Sequence, residues 1–122
     1  MLFSKVRVNF IGFKTMVIRD ASKQDILQLK RLFKENVDFH SQFLNYKRRF
    51  IGEEEPNYEE ELLRILSSNN SLLLVFEENE KIIAYAHGLL NKNNEGIIAD
   101  LYVEERFRKK GIAKKLISIL IK

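Results

Sequence analysis

The chain has 122 residues, 45% of them apolar and 31% charged, with no cysteine, which suits one globular domain and excludes disulfides and thiolate zinc sites. The two histidines, His40 and His87, lie far apart and neither has a metal-motif partner, so a metal enzyme is not expected. The net charge of +4 admits a nucleic acid, a membrane surface or a polyanionic small molecule as partner, but no run approaches the roughly 18 apolar residues of a membrane span.

The charge is uneven. Arg106, Arg108, Lys109, Lys110, Lys114 and Lys115 lie within ten residues, whereas residues 53–61 hold six glutamates. Such clustering favours a local anion site over a general nucleic-acid surface. The start of the chain lacks the continuous apolar stretch and small-residue cleavage site of a signal peptide, and the protein is expected to be cytoplasmic.

In chain order, residues 1–15 read as an extension. Val6, Val8 and Phe10 alternate there with Arg7 and Asn9, the period of a strand. Met16-Val17-Ile18-Arg19 reads as the first core strand. Ser22 followed by Asp25 is a capping-box signature. Ile26, Leu29, Leu32, Phe33, Asn36 and Val37 then fall on one stripe, predicting a helix that ends near Phe39. From His40 to Pro56 the pattern is irregular, with Phe43, Tyr46 and Phe50 beside Lys47, Arg48 and Arg49. That stretch reads as a lid or packed connection, although interleaved basic and aromatic residues also suit single-stranded nucleic acid.

Pro56 and Asn57 open a second helix from Tyr58 to Ser67, with Glu59, Glu60 and Glu61 in the first turn, where the macrodipole favours them. The run Leu72-Leu73-Leu74-Val75-Phe76 is short and wholly apolar, the pattern of a central strand. Glu77 to Glu80 reads as a polar turn, and the segment from Lys81 to Leu90 as the returning arm of a hairpin. Asn91 to Glu95 is a further polar turn before a strand from Ile97 to Val103. Ile112, Leu116 and Ile119 or Leu120 mark a last amphipathic helix. The final strand and helix form half of a parallel crossover unit.

The junction between that strand and helix carries the chemistry. Arg108-Lys109-Lys110-Gly111-Ile112-Ala113 fits the pattern Arg/Gln-x-x-Gly-x-Gly/Ala. Gly111 lets the backbone approach an oxyanion closely, and Ala113 is small for the same reason. Free N–H groups at the helix start, with the helix dipole, favour a pyrophosphate there.

With the strand ending Leu101-Tyr102-Val103 and the opening Arg19-Asp20-Ala21-x-x-x-Asp25, the chain resembles the GNAT family of acetyl-coenzyme A-dependent N-acetyltransferases from Met16 to Lys122. The resemblance implies an α/β (α+β) fold with a mixed, mostly antiparallel central sheet and flanking helices. It implies an N-terminal extension over 1–15 and an acetyltransferase-like domain over 16–122. It also implies acetyl-CoA as co-substrate and a small-molecule or peptide primary amine as acceptor. In the family the motif's amides hold the coenzyme A pyrophosphate, which carries onto Arg108, Lys109, Lys110, Gly111, Ile112, Ala113 and Lys114. The pantetheine arm pairs with the family's fourth strand, here Leu101, Tyr102 and Val103.

Amide formation needs a neutral amine. At pH 7 a lysine-like amine reaches that form at a cost of roughly 4.6 kcal/mol, an α-amine at about 1.4 kcal/mol. A carboxylate acting through water is the expected base. Two are placed for it: Glu95, just before the strand, where some family members carry their base, and Asp100, which resembles the acidic position of diamine acetyltransferases. Otherwise Glu95 is a solvated turn residue and Asp100 half of a structural ion pair. The backbone N–H near Val103 would polarise the thioester carbonyl. His40 falls where the family's acceptor loop runs, and Tyr85, sharing a strand face with His87, is a second candidate for the acceptor cleft.

The family continues beyond this helix with a splayed fifth strand and a further helix that often carries a tyrosine acid, and the sequence shows neither. Three outcomes are open at this point: a truncated acetyltransferase without activity, a second copy or another polypeptide that supplies the missing edge, or the segment Val6 to Phe13 filling part of the gap. An isolated chain is expected either to dimerise or to expose apolar surface. The competing readings are a non-catalytic coenzyme A-binding or partner-binding module and, third, a nucleic-acid-binding protein using Lys47 to Arg49 and Arg106 to Lys115.

Overall fold

The computed structural model describes residues 7–10, 16–43 and 57–120, with side chains described over 16–39 and 57–120. The elements are β1 (Arg7–Phe10), β2 (Met16–Asp20), α1 (Ile26–Phe43), α2 (Tyr58–Leu66), β3 (Ser71–Glu78), β4 (Lys81–Leu90), β5 (Gly96–Val103) and α3 (Ile112–Leu120). Single 3-10 turns precede α1 at Lys23–Asp25 and follow β5 at Glu105–Phe107. Among the described residues no helix is long and apolar enough to cross a membrane.

The strands form one sheet in the order β1-β2-β3-β4-β5, and every neighbouring pair is antiparallel. β3 is buried on both faces, which is why its sequence is a continuous apolar run. Leu72, Leu74 and Phe76 face α3 together with Ile18, Ala84, Ala86 and Val103, closing on Ile112 and Leu116. The alternate residues Leu73 and Val75 join Tyr85 and Tyr102 on the other face, against Leu29, Leu32 and Phe33 of α1 and Leu62 and Ile65 of α2. Emptying a fully buried position such as Leu32 or Leu116 to alanine costs about 2–5 kcal/mol by lost burial and the cavity left behind.

The start of α1 uses Asp25 twice. Its carboxylate accepts the Ser22 N–H at 2.8 Å, as the capping pattern anticipates, and both its oxygens accept from the Arg19 guanidinium at 2.8 Å. The same Arg19 donates from Nε to Glu77 at 2.8 Å. Glu77 and Glu78 therefore lie inside β3, opposite Val17 and Met16, and not in a turn as expected. The β3–β4 turn is Asn79-Glu80 alone, both with positive φ, +51° and +69°. α1 runs to Phe43, past the expected end near Phe39, because no glycine or proline interrupts the sequence before Gly52.

β1 pairs with β2, Val8 opposite Ile18, so it joins the sheet at the edge remote from β5. The expectation that this segment fills the gap beside the last strand is overturned. Only five residues separate β1 from β2, and a local hairpin closes at the smallest loop cost.

β4 and β5 position the site. His87 pairs with Asp100 but Gly88 pairs with Ile98, so Ala99 is an extra residue in β5. This bulge bends the strand just before Asp100. On the opposite face Gly88 admits the end of α3, since a Cβ there would meet the Leu120 side chain at 3.1 Å.

Candidate functional site

Beyond β5 the chain passes the short turn 105–107 and enters α3 through a coiled loop. Lys109 has φ +65° and Gly111 φ +81°. Left-handed backbone of this kind turns successive N–H groups to one side of a loop, and the first turn of α3 adds amides with no partner inside the helix. Open space lies where a Gly111 Cβ would stand. A cleft of about 560 Å³ runs along this surface, lined by Leu101, Tyr102 and Val103 of β5, by Arg108, Lys109, Gly111, Ile112, Ala113 and Lys114, and by Asn36 and Phe39 of α1.

Of the ten residues expected to hold the cofactor, nine thus line one cleft. Lys110 is not among the lining residues, and its ammonium lies 5.6 Å from the centre of the Phe107 ring. Arg108 is more than a surface charge. Its Nε donates to the Val103 carbonyl at 2.8 Å, and its guanidinium lies over the Phe39 ring at 4.5 Å and the Tyr102 ring at 5.3 Å.

β5 is the edge strand of the described sheet. The Glu104 N–H donates to the Ile83 carbonyl of β4 at 2.8 Å. By alternation the N–H and C=O of Val103 point the other way, into the cleft side. Arg108 takes that carbonyl, which leaves the Val103 N–H as a donor facing the cleft.

Asp100 is half-buried at the bulge, with three donors on its carboxylate. Oδ2 accepts the Tyr85 hydroxyl at 2.8 Å. Oδ1 accepts the Asn36 amide at 3.0 Å and the Leu101 N–H at 2.9 Å. The Asn36 amide also donates to the Tyr85 hydroxyl oxygen at 2.9 Å. Burial and the neighbouring Asp100 charge push the Tyr85 phenol far above its usual range, so it remains a protonated donor.

Tyr85 is fully buried, its ring 4.7 Å from that of Phe33, and it does not line the cleft as expected. It stands behind Asp100, because a large aromatic on the covered face of a central strand is absorbed by the core. Glu95 lies in the exposed β4–β5 turn, where Asn91 donates to its carboxylate at 2.8 Å and accepts its N–H at 2.9 Å. The four strand residues Gly96 to Ala99, a step of roughly 15 Å, part it from Asp100. His40 belongs to the last turns of α1, and its side chain, like residues 44–56 with Lys47 to Arg49, lies outside the described residues. His87 contacts Ser71 Oγ at 3.4 Å, and burial holds its imidazole below the usual range.

α1 anchors this whole region. Arg31 donates to Glu104 at 3.0 Å, Glu35 accepts the Tyr102 hydroxyl at 3.2 Å, Asn36 holds Asp100, and Phe39 backs Arg108. Sequence reasoning missed these helix residues as site components. The one signal was Asn36 itself, an amide on an otherwise apolar stripe. Glu104 is also buried. Burial raises its carboxyl, but the Arg31 hydrogen bond, Lys81 and Arg106 outweigh this and hold it below the usual carboxylate range. Among the described residues no group of three His, Asp or Glu side chains is placed to hold a metal ion.

An antiparallel sheet whose bulged last strand leads through a basic, glycine-bearing loop into a helix defines the class. The profile of the Acetyltransferase (GNAT) family matches residues 30–122, and the chain belongs to that family. No curated protein sequence matches it. Among solved structures it is similar to a predicted acetyltransferase of Clostridium acetobutylicum with acetyl-CoA, at 24% identity over 87% of this chain and 71% of that one, TM-score 0.63. It is similar to the PaiA N-acetyltransferase of Thermoplasma acidophilum in complex with coenzyme A, at 20% identity over 85% and 68%, TM-score 0.68. A third is an aminoglycoside acetyltransferase from an uncultured soil metagenomic sample in complex with sisomicin, at 26% identity over 85% and 66%, TM-score 0.57.

Proposed function

We propose that the protein transfers an acetyl group from acetyl-CoA to a primary amine by direct attack of the amine on the thioester. The observation that carries this is the cleft in which β5, the Gly111 turn and the start of α3 meet. The turn and helix amides take the pyrophosphate, with Lys109 and Lys114 adding charge. The edge of β5 takes the pantetheine arm.

Asp100 supports the chemistry better than Glu95. It adjoins Leu101 and Asn36 on the cleft wall, whereas Glu95 is committed to its own turn. Asp100 attracts the acceptor ammonium and accepts its proton through water. The nitrogen then attacks the carbonyl carbon while the Val103 N–H stabilises the charge developing on oxygen. The C–S bond breaks, and the coenzyme leaves as thiolate and takes up the second proton, which the nitrogen sheds as the amide forms. In the same reading a second copy of the chain pairs along the outer edge of β5, where Ile97 and Ile98 are exposed.

Calorimetric titration with acetyl-CoA, with the mass in solution read by light scattering, tests the cradle and the assembly together. Micromolar binding that Gly111→Glu abolishes is expected, as is thiol release with a primary amine. A folded chain that binds no acetyl-CoA overturns the proposal.

A further inference from the structure

Asn36 and Tyr85 form with Asp100 a closed set of three hydrogen bonds joining α1, β4 and β5. The Asn36 amide bonds both the Tyr85 hydroxyl, at 2.9 Å, and Asp100 Oδ1, at 3.0 Å, while the Tyr85 hydroxyl donates to Asp100 Oδ2 at 2.8 Å. Neither partner lies free in solvent. Tyr85 is fully buried and Asn36 is 6% exposed, so both are held by the core; Asn36 and Leu101 line the cleft, and Asp100, bonded to both, is the half-buried member of the set. Asp100 also follows the bulge at Ala99, where the ladder alone does not fix a side chain's direction.

We infer that Asn36 and Tyr85 are positioning residues for acetyl transfer, which clamp the Asp100 carboxylate from opposite oxygens in one orientation towards the incoming amine. The inference rests on the reading of Asp100 as the group that takes the amine's proton. The clamp has a chemical logic. A carboxylate free to rotate about its Cα–Cβ and Cβ–Cγ bonds spends only part of its time in reach of the bridging water. Two donors on rigid elements remove that freedom before substrate arrives. The Tyr85 hydroxyl is suited to this because its proton is not lost at any working pH. Asn36 suits it because one amide group carries two donor hydrogens and both bonds leave from its nitrogen. The ring of Tyr85 packs on Phe33 and Tyr102 whether or not the hydroxyl is present.

The test is a double-mutant cycle on the full chain, with free thiol released from acetyl-CoA as the readout. Putrescine, a lysine-containing peptide and an aminoglycoside serve as acceptors. Tyr85→Phe removes one donor and keeps the buried ring, and Asn36→Leu removes the other at similar volume. Each is expected to lower kcat by roughly ten- to a hundredfold, the scale of a misplaced catalytic group. Acetyl-CoA affinity by calorimetry is expected to be unchanged in Tyr85→Phe, whose side chain lies off the cleft. In an Asp100→Asn background the same two changes are expected to cost less than roughly twofold, since the group they orient is gone. Equal losses in both backgrounds, or full activity of both variants beside an inactive Asp100→Asn, overturn the clamp alone. Full activity of Asp100→Asn, or no thiol release by the unaltered chain, overturns the reading beneath it as well. If Asn36→Leu unfolds by circular dichroism, Tyr85→Phe decides the matter.

Discussion

Arg108 donates from Nε to the carbonyl of Val103 at 2.8 Å, so the first residue of the Arg-x-x-Gly-x-Ala pattern holds the end of the strand it follows. The same guanidinium lies over the ring of Phe39 at 4.5 Å and that of Tyr102 at 5.3 Å. One side chain thereby fixes β5, α1 and the loop into α3 relative to one another.

Arg108→Ala is expected to destabilise the protein by about 1–3 kcal/mol, the range for a charged hydrogen bond with stacking lost. Acetyl-CoA binding should weaken with it, because the Val103 end of the cleft loosens. Arg108→Lys keeps the charge but not the planar fork, and it should recover less than half of the loss. Urea melts and calorimetry on the two variants separate the bracing role from the charge. Lysine restoring both quantities in full would mean that charge alone matters.

Gly111 separates strain from electrostatics. Its φ of +81° disfavours any side chain, and a Cβ there meets open space. Gly111→Ala should therefore cost only about 1 kcal/mol of stability, through the backbone. Gly111→Glu should cost a similar amount and, in addition, remove acetyl-CoA binding by setting a carboxylate where the pyrophosphate belongs. Equal acetyl-CoA affinity in the alanine and glutamate variants would exclude the turn as an anion cradle.

Stability should fall with acid in two stages. His87 is held below its usual range by burial, so the unfolded chain binds a proton more readily than the folded one. Its stabilising contribution is complete above about pH 6.5 and declines as the pH falls below that. Asp25 is also depressed. Burial raises its carboxyl, but the Arg19 pair and the Ser22 N–H outweigh this. Glu104 behaves in the same way. Both contributions are present above about pH 4.3 and are lost as the pH falls through the folded values. Urea midpoints between pH 7 and pH 3 should show both declines. His87→Gln should remove the upper one only, and a single-stage curve for the unaltered chain would contradict the assignment.

The order of strands and helices was legible because each element carries its own period. Ser22 and Asp25 announced α1, and the apolar run 72–76 announced β3. Nine of the ten expected cofactor residues met in one cleft because they are nearly contiguous, so local sequence already held them together. What depended on distant partners was not legible. Glu77 reads as a turn residue from its neighbours, and its partner, Arg19 of β2, stands 58 positions away. Tyr85 looked like a cleft residue, although β4 lies inside the sheet and both its faces are covered. The bulge at Ala99 is a count between two strands, which neither strand shows alone. It sets the register at which Asp100 stands opposite His87, on which the proposal of Asp100 as the base relies.

The β3–β4 turn offers a way to stabilise the sheet without touching the site. Asn79 and Glu80 both have positive φ, as a two-residue turn of primed type demands. Asparagine tolerates this conformation, but glutamate does not favour it. Glu80 is exposed and its charge lies at the far end of the hairpin from Asp100. Glu80→Gly should raise stability by about 1 kcal/mol, as the relief of left-handed strain exceeds the added freedom of the unfolded chain. Acetyl transfer should be unchanged. Glu80→Val, with a branched side chain at φ +69°, should lower stability by a comparable amount. Thermal melts of the pair decide it: a glycine variant less stable than the parent would show that the Glu80 side chain contributes more than its backbone costs.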